Sequence, residues 1–251
     1  MNECPYPLKS PEILQCFRGA FIHKFDCFSG SEFFAAGCIV ELHGYYRSSA
    51  SFRVRIALNL KRIDYTAVSH HLRRNEHQLP EFRTLNPQGF VPALDDEGDV
   101  LTQSLAIIEY LDETNPNPPF LPGHPGDRAR VRALAQLIAC DIHPLNNLRV
   151  LRYLRAPLGQ DETAVKDWYN HWIAEGFAAL ETLLADDDRT GRFCHGDEPG
   201  LADICLVPQI VNSENYKLDL SPYPTLRRIY ANCMALEAFQ QAHPSRQPDA
   251  E

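Results

Sequence analysis

The chain has 251 residues, 44% hydrophobic and 23% charged, which is enough to bury a sizeable core in one large or two small domains. Its formal net charge of −9 excludes broad binding to nucleic acid or to an anionic membrane, so any anionic ligand must be drawn in by a local cluster of basic residues. No apolar run approaches the roughly 18 residues needed to span a bilayer. The eight cysteines contain no Cys-x-x-Cys pair, so neither a metal site nor a dithiol redox motif is expected, and free thiols in a reducing cytoplasm are.

Residues 1–38 carry Cys4, Cys16, Cys27 and Cys38 but no basic start followed by a clean apolar stretch, so they fail as a signal peptide. They read as a loosely attached extension, or as a start site placed too early. From Ile39 the pattern sharpens. "IVELHGY" alternates with a period of two, as a strand does. "YYRSSASFRVRIALNLK" follows, with Phe52, Ile56 and Leu60 spaced by four and Val54, Ala57 and Leu58 widening the apolar face, which predicts a helix packed on a sheet. "DYTAVSHHL", residues 64–72, is a second strand, parallel to the first because a helix joins them. Two more strands are expected around residues 93–94 and 100–101, turning at Glu97-Gly98, before a second amphipathic helix starts at Ser104.

The order βαβ then ββα predicts a thioredoxin-like α/β domain over residues 39–115. Five prolines between Pro116 and Pro125 mark a linker at 116–127, since proline removes a backbone donor and disfavours helix in the residue before it. Residues 128–251 are then expected to form an all-helical domain, with helices over 128–154, 163–185, 201–215 and 224–239.

Two places carry more polarity than folding needs. Arg47 directly precedes Ser48-Ser49 at a helix start, where free N–H groups and the positive end of the helix dipole favour an anion. The plainer alternative is that one serine is simply an N-cap. Arg53 and Arg55 read as surface or structural pairs. In "CDIHPLNNLR", His143, Asn146, Asn147 and Arg149 crowd a stretch that Pro144 should kink, which suits a wall facing a cleft. In "DEPGLADI", Gly200 and Asp203 read as a helix-capping pair, a folding feature.

"RSSASFRVRIALNLK", "LNPQGFVPAL", "QSLAIIEYL", "CDIHPLNNLRVLRYL", "ADICLVPQ" and "DLSPYP" together resemble the zeta-class glutathione transferases, which include maleylacetoacetate and maleylpyruvate isomerases. The six motifs are collinear, the resemblance covers roughly Ile39 to Pro248, and the closing "AHPSRQPDA" is similar too. The resemblance implies a glutathione-dependent cis–trans isomerase working as a cytoplasmic homodimer on a small dicarboxylate. Ser48 and Ser49 would hold the glutathione thiolate at the helix start, and Arg47 would grip a substrate carboxylate. Pro92 would be cis and free the Val91 backbone to pair with the cysteinyl part. Gln103 and Ser104 would hold the glutamyl end and His77 the glycyl carboxylate. His143 and Asn147 would contact glutathione, with Arg149 facing the second substrate.

Two departures bear on the chemistry. Ala50 stands where family members often carry cysteine, which removes a tuning group but not the nucleophile, since glutathione supplies the thiol. Asn215 stands where these isomerases carry an arginine, with Lys217 nearby. The loss of that arginine keeps open a general glutathione transferase or dehalogenase acting on haloacids. A non-catalytic glutathione-binding interaction protein is the third reading, opposed by the intact Arg47-Ser48-Ser49 cluster.

Overall fold

Val40 and Leu42 alternate inward along a first strand, and the sheet grows from them. The computed structural model describes residues 40–251. The expected extension at 1–38, its four cysteines and the first residue of the predicted strand lie outside the described residues. Strand β1 (Val40–Gly44) pairs in parallel with β2 (Tyr65–Ser69) and antiparallel with β3 (Ala93–Asp96), which pairs antiparallel with β4 (Asp99–Thr102), giving the order β2-β1-β3-β4. Leu42 faces Ala67 on one side and Leu94 on the other. The β3–β4 turn needs two residues in the left-handed region, and Glu97 (φ 56°) and Gly98 (φ 93°) supply them.

Helix α1 (Ser49–Lys61) covers the sheet beside α3 (Ser104–Thr114). It starts where predicted, because the Ser48 hydroxyl accepts the Ser51 N–H at 3.2 Å. It ends at Lys61, with Arg62 turning into the left-handed region. Lys61 is buried at that end, donating to the Asp112 carboxylate at 2.7 Å and to the carbonyls of Asn115 and Pro118, over the ring of Phe120. Between β2 and β3 lies α2 (Pro80–Leu85), a six-residue helix too short to show a period in sequence. The Val91–Pro92 peptide is cis, as expected.

The helical half departs from its predicted outline twice. The single helix expected over 128–154 is α4 (Pro125–Gln136), a π-helical turn (Leu137–Ile142), a 3-10 turn (His143–Asn146) and α5 (Leu148–Arg155). Pro144 has no N–H to continue the ladder, and the Asn147 side chain restarts the helix by accepting the Arg149 N–H. Helix α4 also begins inside the predicted linker, at a proline for which a first helical turn has no use of an N–H. The helix expected over 224–239 is split into α8 (Pro224–Met234) and α9 (Glu237–Ala242), because Leu236 turns extended and redirects the chain so that Phe239 and Ala242 bury with α9 against α1.

Helix α6 (Glu162–Ala185) is capped by Asp161, and α7 (Leu201–Asn215) runs through the middle, packed on α1, α4 and α8. Asp203 accepts from the N–H groups of Gly200 and Cys194, both at 2.9 Å, so the predicted capping role holds. Cys140, Cys194, Cys205 and Cys233 are free thiols. Among the described residues, no helix is long and apolar enough to cross a membrane.

Arg53 and Arg55, read as surface or structural, are not on the surface. Both are buried, at 2% and 4% exposure, on a helix enclosed on nearly every side. Arg55 donates to the carbonyls of Ala242, Tyr45 and Tyr46, tying the end of α9 to the loop after β1.

Lys61 carries a testable consequence. Lys61→Met leaves Asp112 and two carbonyls without their shared donor, and breaking a partly buried pair from one side costs about 3 kcal/mol. Urea unfolding is expected to show that loss, with Lys61→Arg recovering part of it.

Candidate active site

The loop after β1 delivers Tyr45, Tyr46 and Arg47 to the start of α1, and the kinked stretch before α5 brings His143 and Asn147 opposite. Between them lies a cleft of about 840 Å³. Its lining includes Arg47, Ser48, Ser49, His77, Val91, His143, Asn147 and Arg149, so eight of the ten residues singled out in sequence converge on one space. Gln103 and Ser104 do not line it. Gln103 is exposed and donates to Gln88, whereas Ser104 is buried at the first position of α3, accepting from Arg53 Nη1 at 3.3 Å.

The cleft is cationic within an acidic protein. Arg47, Arg73, Arg149 and Arg152 line it, against the single acidic side chain of Glu251 among its described lining residues. Arg149 stacks over the Phe90 ring with its guanidinium carbon 4.9 Å from the centroid, which holds an otherwise exposed side chain in place. Arg152 is engaged by Asn75 and the Leu72 carbonyl and so braces the rim.

The two serines have different surroundings. Ser48 accepts from the Ser51 N–H, a use of its lone pair that leaves the hydroxyl proton free to donate into the cleft. Capping and ligand donation are therefore compatible at this residue. Ser49 Oγ lies 3.0 Å from His143 Nδ1, and in either tautomer the imidazole fixes that hydroxyl. Burial, helped by Arg53 and Arg149, pushes the His143 pKa down to about 3, so the ring is neutral. His77 is also pushed down, by burial first and then by Arg152 and Arg83, so it lines the cleft as a neutral hydrogen-bonding group.

Asn146 lines the cleft, yet its amide nitrogen donates to the Tyr169 carbonyl, a structural bond. Asn215 also lines the cleft, at the end of α7, whereas Lys217 sits in the left-handed turn beyond and does not. Two contributions were not placed near the site from sequence. Tyr169 and Tyr216 stack with centroids 3.5 Å apart on the wall near Asn215. The C-terminal tail returns across the N-terminal half, where Asp249 accepts from Tyr46 N–H and Ser69 and Glu251 pairs with His71 and Arg74. No cluster of metal-ligating residues occurs among the described residues.

The neutral histidines set a pH dependence. His43 and His70, whose rings are bonded at 2.9 Å, are pushed down by burial as His143 and His77 are. Below an unfolded pKa of about 6.5 the unfolded chain takes up protons that the folded one does not. Stability is thus complete above that pH and lost as pH falls towards the lowered folded values. Thermal scans are expected to show a Tm flat between pH 8 and 7 and falling by pH 5, with a shallower fall in His143→Gln.

Residues 42–119 match the model for the glutathione S-transferase N-terminal domain, and residues 163–232 match that for its C-terminal domain. The chain is 49% identical over 211 residues to a maleylpyruvate isomerase of a Ralstonia species, covering 84% of this chain and 100% of that one. Its structure is similar to the holo structure of a maleylpyruvate isomerase described as a bacterial zeta-class glutathione S-transferase, with a TM-score of 0.83 at 49% identity over 84% of this chain and 100% of that one. It is also similar to a maleylacetoacetate isomerase of Methylobacterium extorquens AM1 with bound malonate and GSH, with a TM-score of 0.82 at 45% identity over 84% and 99% of the two chains. The chain therefore belongs to the glutathione S-transferase family, and its likeness to these isomerases assigns it to the zeta class.

Proposed function

We propose that this chain is a glutathione-dependent cis–trans isomerase of a maleyl-type acid, maleylpyruvate or maleylacetoacetate. The observation that carries this reading is the open start of α1, with a donating Ser48, facing a cleft lined by four arginines in a protein of net charge −9. A relative 49% identical carries the same activity in its name, and a similar isomerase structure at 45% identity has malonate, a dicarboxylate, and GSH, that is glutathione, bound.

The chemistry needs a thiolate, and a free thiol with a pKa near 8.5 is mostly protonated at neutral pH. The Ser48 hydroxyl and the leading N–H groups of α1 lower that value by stabilising the anion. The thiolate sulfur then bonds to one carbon of the cis double bond, and the π pair moves onto the conjugated carbonyl oxygen. The former double bond rotates as a single bond. The pair returns, the carbon–sulfur bond breaks, and the trans acid leaves with the thiolate restored. No atom is gained or lost.

Arg47 and Arg149 hold the substrate's carboxylates and resist the build-up of negative charge in the adduct. Ser49, fixed by His143, supports the anion beside Ser48. Val91 pairs with the cysteinyl part of glutathione, His77 serves its glycyl carboxylate, His143 and Asn147 contact it as well, and Gln103 and Ser104 hold its glutamyl end. The reading includes a thioredoxin-like domain at 39–115, a linker at 116–127 and a helical domain at 128–251. It also includes a cytoplasmic homodimer.

Asn215 favours a second reading, a zeta-like transferase or dehalogenase that uses the same thiolate on haloacids, because an amide replaces a charged partner for the distal carboxylate. An interaction protein that only binds glutathione has no need to depress its thiol pKa.

Absorbance decay of maleylpyruvate and of maleylacetoacetate, each with and without glutathione, tests the reading. Decay only with glutathione, giving the fumaryl product, is expected. No decay with either acid in protein that binds glutathione sinks the isomerase and directs the test to haloacids. Ser48→Ala is expected to raise the pKa of bound glutathione by about one unit, read from thiolate absorbance against pH, and to lower kcat/KM about tenfold or more. Asn215→Arg is expected to lower KM for a dicarboxylate by about tenfold while leaving a monoanionic haloacid unchanged.

A further inference from the structure

Arg53 is the one buried cation of α1 whose partners do not account for it. Arg55 on the same helix satisfies three carbonyls, and Lys61 has a carboxylate and two carbonyls. Arg53, at 2% exposure, makes a single hydrogen bond among the described residues, from Nη1 to Ser104 Oγ at 3.3 Å. Its Nε and Nη2 have no partner among the described residues, and no described carboxylate lies within ion-pair distance. The groups whose negative charge could compensate it are the thiols Cys205 and Cys140, and Cys205 is itself pushed up by burial to about 11 and so stays neutral. A guanidinium buried this way is costly unless something anionic approaches it.

The direction of that approach is set by Ser104, the first residue of the eleven-residue α3. Its neighbour Gln103 occupies the N-cap at φ 70° and gives no side-chain cap, so the leading N–H groups of α3 remain uncapped. A hydroxyl that accepts from a guanidinium retains its own proton to donate elsewhere, and the cation polarises it for that donation.

We propose that Arg53 is a positioning residue for the glutamyl end of glutathione: from inside the protein it fixes the Ser104 hydroxyl as a donor to the glutamyl α-carboxylate, and that carboxylate supplies the anion its buried charge lacks. The inference rests on the reading that this chain binds glutathione. It explains why α1, which opens the thiolate site, also carries a charge directed at α3. One helix then serves both ends of the ligand, the serines from its start and Arg53 from one turn further on. The Arg53 charge also contributes to keeping His143 neutral, which links the glutamyl end to the imidazole that fixes Ser49.

The test is calorimetric titration of wild type, Arg53→Met and Arg53→Lys with glutathione and with its analogue lacking the glutamyl α-carboxylate. In wild type, deleting the carboxylate is expected to weaken binding by about 30-fold, and in Arg53→Met by about threefold or less. Arg53→Lys, which keeps the charge without the fork, is expected to fall between them. A purely structural Arg53 would lower stability and leave the cost of the deletion unchanged, so equal costs in folded Arg53→Met and wild type overturn the proposal. If Arg53→Met fails to fold, Arg53→Lys and Ser104→Ala carry the test: a reduced cost in both supports the proposal, and a wild-type cost in either overturns it. Wild-type protein that binds neither ligand overturns the glutathione reading itself, a result distinct from binding that is indifferent to Arg53.

Discussion

The amino end of α1 has to satisfy two demands at once, and the rest of the structure follows from how it does so. A helix start leaves backbone N–H groups without partners, and a protein that caps them all has no anion site there. Here Ser48 takes one of them, from Ser51, and keeps its own proton available. What remains must point in a fixed direction, so the helix has to be immobile. The sheet, α3, α7 and α9 enclose it, and Arg55 ties the loop before it to the last carbonyl of α9. The break at Leu236 that creates α9 is therefore tied to the site: a straight helix would not return to α1.

That enclosure explains which parts were legible in sequence. The strands at Val40, Tyr65, Ala93 and Asp99, the helix starts at Ser48 and Ser104 and the long α6 and α7 follow from alternation, spacing and caps, which are local properties. The burial of Arg53 and Arg55 is not local. An Arg-Val-Arg step inside an apolar pattern looks like a solvent-facing edge, because nothing within α1 records that α7 and α9 cover that edge. The divisions of 128–154 and 224–239 also escaped, although Pro144 marked one of them. Proline tells where a helix is disturbed but not whether it bends, tightens or restarts.

The site was more legible than the packing. Arg47, Ser48, Ser49, His143, Asn147 and Arg149 line one cleft, and two segments with more polarity than folding needs had marked them; His77 and Val91, which line it too, were named only through the family resemblance. Gln103 and Ser104 do not line that cleft; Ser104 is bonded from the interior by Arg53, a long-range contact that nothing local to either helix announces. The tyrosine stack left no mark, since an aromatic on a helix face is an ordinary feature in sequence, and the closing "AHPSRQPDA" was marked as a family motif with nothing to say where it packs. Their roles depend on long-range returns of the chain, such as Asp249 meeting Tyr46 across the sheet edge.

Charge is unevenly distributed around the cleft, and this bears on which substrate fits. Arg47 and Arg149 come from the α1 loop and from α5, whereas α7 contributes the amides Gln209, Asn212 and Asn215. Gln209 is fully enclosed, with neither amide atom paired among the described residues, so that wall offers hydrogen bonds without charge. An amide both donates and accepts, which suits a keto or enol oxygen, while a second carboxylate gains far more from a guanidinium fork. On the proposed reading, the carboxylate next to the reacting double bond then lies towards Arg47 and Arg149, near the thiolate. The part of the substrate that reaches α7 is its carbonyl-bearing portion. Both maleyl acids carry keto oxygens that these amides match and end in a second carboxylate, which finds no guanidinium on α7.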